Sequence, residues 1–217
     1  MKITKYPQSC LLIETKGKKI LIDPGTIKYK EEYFDIWNSV DIILITHKHS
    51  DHCNTEVLEK LNKDIKIYSN KEVQDVHKSL NINIIKENDI IELNDIKIEV
   101  VHAIHGYQPL LKGKAVYENV GYIIDDGENR LYTTSDTICF ENDYKADILC
   151  VPVTAHGLTM SAYEAALYAK EVGATLTIPI HMDNPAFPPN YDFIQEMFEK
   201  YEIDYEILEN EENIEIE

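Results

Sequence analysis

The sequence predicts a mixed α/β fold in which β-sheets are covered by helices, and three observations carry that expectation. Short apolar runs of strand character recur from the first residues to Ile180. The segments between them carry helix-start signals followed by apolar residues at helical spacing. Neither an internal repeat nor a low-complexity linker divides the chain, so its 217 residues, 44% of them hydrophobic, read as one domain over 1–217 with a substantial core.

The first strands are expected at residues 2–6, 10–14 and 19–22, with Gly17 in the tight turn before the third. DIILI at 41–45 reads as a fully buried strand. Further strands are expected at 65–68, 90–93, 96–103, 120–124, 129–133, 148–153 and 175–180. Asp125-Asp126-Gly127-Glu128 is a hairpin signal between two of them. Ser69-Asn70-Lys71-Glu72 has the capping-box pattern ahead of Val73, Val76 and Leu80 at helical spacing. Ser161-Ala162-Tyr163-Glu164 is a second capping box, opening a helix that ends near Gly173. A third helix carries Phe193, Ile194, Met197, Phe198 and Tyr201 as a core stripe. The acidic tail 209–217 reads as a solvated end with at most a weak strand.

Charge and cysteine usage narrow the function. The net charge is −18, from 21 basic and 39 acidic residues. Such a surface repels phosphate backbones, so binding of long nucleic acid is not expected. A small anionic substrate stays open where metal ions supply local positive charge. The opening MKITKYPQSC runs into a strand pattern without the features of a secretory leader, and no apolar run approaches a membrane span, so a cytoplasmic location is expected. Cys10, Cys53, Cys139 and Cys150 are scattered without a CxxC pair and read as reduced, mostly buried thiols. Cys53 stands out because it follows His52. The oligomeric state is open, since a core face and an interface face look alike in the sequence.

The decisive segment is Thr46-His47-Lys48-His49-Ser50-Asp51-His52, directly after the buried strand. Three imidazoles and a carboxylate at a strand end are ligands of the kind that zinc, manganese and iron prefer. Period-two spacing turns His47 and His49 to one side, and Asp51 and His52 away from them, which suits a second ion nearby. No structural role asks for HxHxDH there. One segment is too short to close two coordination shells, so other strand ends must contribute. His105, Asp136 and His181 each follow a predicted strand and are candidates. His102 lies inside its strand and reads as facing the core or the opposite surface. Tyr107, Tyr117 and Tyr122 are candidates for a pocket wall, with core packing the stronger expectation.

In that order, His47-x-His49-x-Asp51-His52, His105, Asp136 and His181 resemble the metallo-β-lactamase fold superfamily. Within it the chain is most similar to the L-ascorbate-6-phosphate lactonase-like branch, on the strength of LIDPG at 21–25 and of the late half from 147 through Ile178-Pro179-Ile180-His181. The resemblance implies a four-layer αββα sandwich with the site along one edge of the sheets. It implies one ion on His47, His49 and His105, a second on Asp51, His52 and His181, and Asp136 bridging both; zinc is the first expectation, with manganese or iron as alternatives. Two departures matter. Gln8 stands where relatives often carry a histidine, and His156 stands in a stretch usually rich in glycine, either as a substrate contact or as a plain loop residue.

The resulting expectation is a hydrolase that uses a metal-bridging hydroxide on a small ester, lactone or phosphate ester. Asp51 is the catalytic residue, orienting the nucleophile and handling its proton. Two rivals accompany it. A di-iron oxidoreductase of the same fold is disfavoured by the resemblance, because such members carry a carboxylate where this chain has His49. A non-catalytic metal-binding or ligand-sensing protein is disfavoured by the complete ligand set.

Overall fold

The computed structural model describes residues 1–111, 115–155 and 158–216. Its first half runs β1 (Lys2–Lys5), β2 (Leu11–Thr15), β3 (Lys18–Ile22), α1 (Tyr33–Trp37), β4 (Ile42–Leu44), α2 (Thr55–Leu58), β5 (Lys66–Ser69), α3 (Lys71–Val76) and β6 (Ile82–Ile84). The second half runs β7 (Ile90–Leu93), β8 (Ile96–His102), β9 (Val120–Asp125), β10 (Arg130–Thr133), β11 (Ile148–Pro152), α4 (Ala162–Val172), β12 (Leu176–Ile180), α5 (Tyr191–Lys200) and β13 (Asn213–Glu215). Among the described residues, seven strands form one sheet in the order β13-β1-β2-β3-β4-β5-β6, and six form the other in the order β12-β11-β10-β9-β8-β7.

Side-chain alternation explains the layering. Ile13, Ile20, Ile22, Ile42 and Leu44 of the first sheet meet Ile98, Val100, Tyr122, Ile124, Leu131 and Ile178 of the second. The intervening residues Leu12, Leu21, Ile43 and Ile45 face away, onto Tyr33, Trp37, Val57, Leu58 and Val73. On the far side, Ile123, Tyr132, Leu149 and Val151 lie under Ala162, Ala165, Ala169, Ile194 and Phe198 of α4 and α5. Each sheet therefore buries both faces, one against the other sheet and one against helices. That is the αββα order expected above, and it is why the strands read as unbroken apolar runs. No helix among the described residues is long and apolar enough to cross a membrane.

Most expected strands appear within a residue or two of their anticipated bounds. The capping-box reading of Ser69 is corrected: Ser69 ends β5 and donates to Ile45 O at 2.8 Å, while Asn70 caps α3 by accepting from Val73 N. The strand's own hydrogen bonding claims Ser69, and the next residue takes over the cap. Helix α3 stops at Val76, which is 54% exposed, so Leu80 packs from the following turn instead. At Ser161 the capping box forms, and Gly173 closes α4 at φ 77°. In α5, Ile194, Met197 and Phe198 are buried, but Phe193 is 37% exposed. The tail strand β13 pairs antiparallel with β1. The short elements α1, α2 and β6 were not anticipated. They span three to five residues, too few to establish a period.

Candidate metal centre

Strand ends build the site. Asp23 and Gly25 follow β3, and Thr46 through His52 follow β4. His105 follows β8, Asp136 follows β10, and His181 follows β12. The residues fall into two ligand groups: His47, His49 and His105 in one, and Asp51, His52, Asp136 and His181 in the other, with the donor atoms of each group within 4.8 Å of one another.

His47 Nε2 and His49 Nδ1 are 3.2 Å apart. In the second group Asp136 Oδ2 is 3.2 Å from His52 Nε2 and 3.1 Å from His181 Nε2. Asp51 Oδ2 is 3.7 Å from each of the same two nitrogens. Asp136 Oδ2 is also 4.0 Å from His105 Nε2, so this one carboxylate faces both groups. Two donors bound to a tetrahedral zinc at about 2.1 Å stand about 3.4 Å apart, so these separations suit a shared ion.

Burial makes the same argument. Nε2 of His52, Nε2 of His105 and Oδ1 of Asp136 are sealed from solvent without a hydrogen-bond partner among the described residues. Orphaned buried polar atoms are costly, and coordinated cations remove that cost. The donor set, imidazole with carboxylate and no thiolate, fits divalent ions of the zinc or manganese kind.

Surrounding groups aim the rings. Thr46 donates its hydroxyl to Asp23 Oδ2 at 2.7 Å, so its oxygen accepts from His47 Nδ1 at 3.1 Å. His52 Nδ1 donates to Asp23 Oδ2 at 2.8 Å, and His105 Nδ1 donates to Gly106 O at 2.8 Å. Thr154 donates to His181 O at 2.7 Å and accepts from His181 Nδ1 at 3.1 Å. Four rings thus spend Nδ1 outward and turn Nε2 toward the cluster, as supported metal ligands do. Ser135 donates to Thr46 Oγ1 at 2.5 Å, which ties the loop after β10 to the loop after β4.

The backbone is strained here. Gln8, Asp23, Ser135 and His181 have φ of 63°, 46°, 59° and 60°. Each such residue costs about 1–3 kcal/mol and persists where its surroundings overdetermine it. Asp23 N is held by Leu44 O at 2.9 Å, and His181 N by Gln8 O at 2.9 Å. Gly25 sits so close to the ligand loop that a Cβ there would lie 1.7 Å from Asp51 O.

The electrostatics draw positive charge inward. Burial opposes a charge on His52, but Asp136, Asp23 and Asp51 outweigh it and hold its pKa well above the usual histidine value. His181 is pushed up to about 9 against burial by Asp136 and Asp51. Asp136 and Asp51 are lowered in spite of burial by His52 and His181. Burial and the neighbouring His52 depress His47, and burial likewise depresses His105. The carboxylate-rich group therefore keeps protons where a cation answers the same field.

All seven candidate ligands read from the sequence come together. His156 lies outside the described residues. His102 points away from the cluster and pairs with Glu87 at 3.0 Å. Cys53 is buried, its thiol is pushed up to about 12 by that burial, and it belongs to neither ligand group. Tyr122 packs in the core as expected and donates to Ile45 O at 2.8 Å. The core expectation fails for Tyr107 and Tyr117, which are 57% and 84% exposed, because both lie on the long connection between β8 and β9. Sequence reasoning missed Thr46, Thr154 and Asp183 and did not assign Asp23 a role. LIDPG was the one signal pointing to Asp23 and Gly25.

Residues 2–181 match the family model described as the beta-lactamase superfamily domain. A UPF0173 protein of Pyrococcus abyssi is 32% identical over 191 residues, covering 83% of each chain. A UPF0173 metal-dependent hydrolase of Nanoarchaeum equitans is 27% identical over 190 residues, again covering 83% of each. In fold, the chain is similar to a metallo hydrolase from Ignicoccus hospitalis, with a TM-score of 0.79 at 23% identity over 100% of this chain and 99% of that one.

Proposed function

The chain belongs to the metallo-β-lactamase fold superfamily, and from that premise we propose that it is a dinuclear metal-dependent hydrolase acting on a small ester, lactone or phosphate ester. The observation that carries the reading is the pair of ligand groups facing one carboxylate. His47, His49 and His105 would hold one ion, Asp51, His52 and His181 the other, and Asp136 both. The relatives named as metal-dependent hydrolases support the reaction class. The lactonase-like branch is the narrower reading, resting on LIDPG and the late half of the sequence.

When bound, two divalent ions supply Lewis acidity and bring the pKa of water toward neutrality. The chain's own groups do the rest. Asp51 is the most exposed carboxylate of the set, at 21% against 4% for Asp136, so it is the one that orients a nucleophile and takes its proton. Asp23, Thr46 and Thr154 fix the rings so that no reorganisation is needed during reaction. The net charge of −18 favours small substrates over polyanions.

Metal content by mass spectrometry, paired with a screen of ester, lactone and phosphate-ester substrates, tests the proposal. About two zinc or manganese ions per chain and hydrolysis of one class are expected. His47→Ala and Asp136→Ala should lose both and still fold. Full hydrolysis in either variant, or no metal after reconstitution, overturns the proposal; tightly held iron with oxygen-reducing activity moves it to redox chemistry.

A further inference from the structure

The turn between β1 and β2 carries Gln8 into the second ligand group, where its side chain is almost wholly buried. Three bonds fix it. Gln8 N donates to Asp183 Oδ2 at 2.9 Å, Asp183 N donates to Gln8 Oε1 at 2.8 Å, and His181 N donates to Gln8 O at 2.9 Å. Asp183 is itself held by Lys5 Nζ at 3.1 Å, Lys28 Nζ at 2.9 Å and Asn210 Nδ2 at 2.8 Å. This clasp decides which way the amide faces, because a buried Asp183 N–H requires an acceptor and only Oε1 provides one. The NH2 end must then point into the cluster. It lies 3.2 Å from Asp51 Oδ2 and 3.1 Å from His181 Nε2.

Those two atoms belong to the group that would take the second ion. Because Thr154 engages His181 Nδ1, the deprotonated ring that a cation requires carries its lone pair on Nε2, beside the Gln8 amide. A single nitrogen lone pair serves one partner, an N–H or a cation. The amide hydrogens are also the positive end of a dipole, set at the approach to both donors. To admit a cation, Gln8 must turn and give up its bond from Asp183 N. In the first group, His105 Nε2 has no hydrogen-bond partner among the described residues.

We propose that Gln8 guards the second metal position, so that the protein loads its ions in order, the His47–His49–His105 group first and the Asp51–His52–Asp136–His181 group second. The inference rests on the two-ion reading above. Gln8 is on this account a positioning residue that sets occupancy rather than taking part in chemistry.

Calorimetric titration of chelator-treated protein with Mn²⁺, at one pH, tests the order. The wild type should show two steps, the second at least tenfold weaker. Gln8→Ala and Gln8→Leu should tighten the second step about tenfold, the effect of one lost competing hydrogen bond, and leave the first unchanged. Leu preserves most of the volume without an N–H, so a Leu variant that behaves like wild type would mean that Gln8 only packs the turn. Gln8→Glu retains the acceptor for Asp183 N and exchanges the amide for a carboxylate, so its second step should tighten more than tenfold. This variant carries the test if the other two fail to fold by circular dichroism. Equal steps in the wild type, or a second step unchanged or weakened in the folded variants, overturns the inference while the two-ion reading stands. A wild type that binds no Mn²⁺ overturns both.

Discussion

Asp23 Oδ2 lies 2.8 Å from His52 Nδ1, and neither side chain is more than 1% exposed. This contact joins the end of β3 to the ligand loop after β4 and fixes which nitrogen of His52 faces the cluster. The carboxyl of Asp23 is raised by burial, with His52 and Thr46 pulling the other way, so its charge depends on those partners.

Asp23→Asn should therefore weaken the second ion selectively. Either orientation of the amide turns its NH2 on a donor, against Thr46 N if the oxygen keeps the place that serves Thr46 Oγ1 and His52 Nδ1, or against those two if it serves Thr46 N. A loss of about 10–100-fold in affinity is expected for a ligand without its supporting partner. The first ion, on residues that Asp23 reaches only through Thr46, should change much less. Metal titration of the folded variant checks this, and an unaltered second step would refute it.

Gly25→Ala should destabilise the fold and displace the ligand loop together. The added Cβ would stand 1.7 Å from Asp51 O and 2.2 Å from Asp51 C, both backbone atoms that no rotamer change can move. Overpacking of this kind costs about 3 kcal/mol. In a chain of this size that lowers Tm by roughly 6–12 °C. A melting curve that matches the wild type would mean that the two loops separate easily.

Asp126 gives stability an acid limb remote from the metal site. It accepts from Thr15 Oγ1 at 2.5 Å, Glu128 N at 3.0 Å and Asn129 N at 2.7 Å, and so pins the β9–β10 hairpin to the end of β2 in the other sheet. Burial raises its pKa, but Thr15 and the two backbone donors outweigh it and leave the carboxyl below its usual value. A depressed folded pKa contributes stability above the unfolded value, about 3.9. That contribution is lost as pH falls through the folded value. Asp126→Asn should cost about 1–2 kcal/mol at pH 7. It should also flatten part of the fall in stability below about pH 5. Denaturant midpoints at neutral and acid pH would show both effects; a constant difference between variant and wild type across that range would rule out the carboxylate as the cause.

Much of the fold was legible because its strands are buried on both faces. The runs at 20–22, 42–45 and 148–151 are unbroken and apolar in the sequence, and the sheets bury both of their faces. The short elements α1, α2 and β6 were not legible, since a few residues carry no period and owe their shape to what they cover. Trp37, 1% exposed on a five-residue helix, is there because the outer face of the first sheet needs a lid.

The sequence by itself determined the candidate ligand set and the α/β class, because HxHxDH is contiguous and the other candidates, His105, Asp136 and His181, each follow a strand whose pattern is visible. The resemblance already implied how those residues are grouped, and only the tertiary structure decided what holds them. Asp23 meets His52 across 29 positions, Thr154 meets His181 across 27, and Asp183 meets the Gln8 backbone across 175. Hydrogen bonds over such separations depend on strand register and sheet packing, and local patterning carries no information about either.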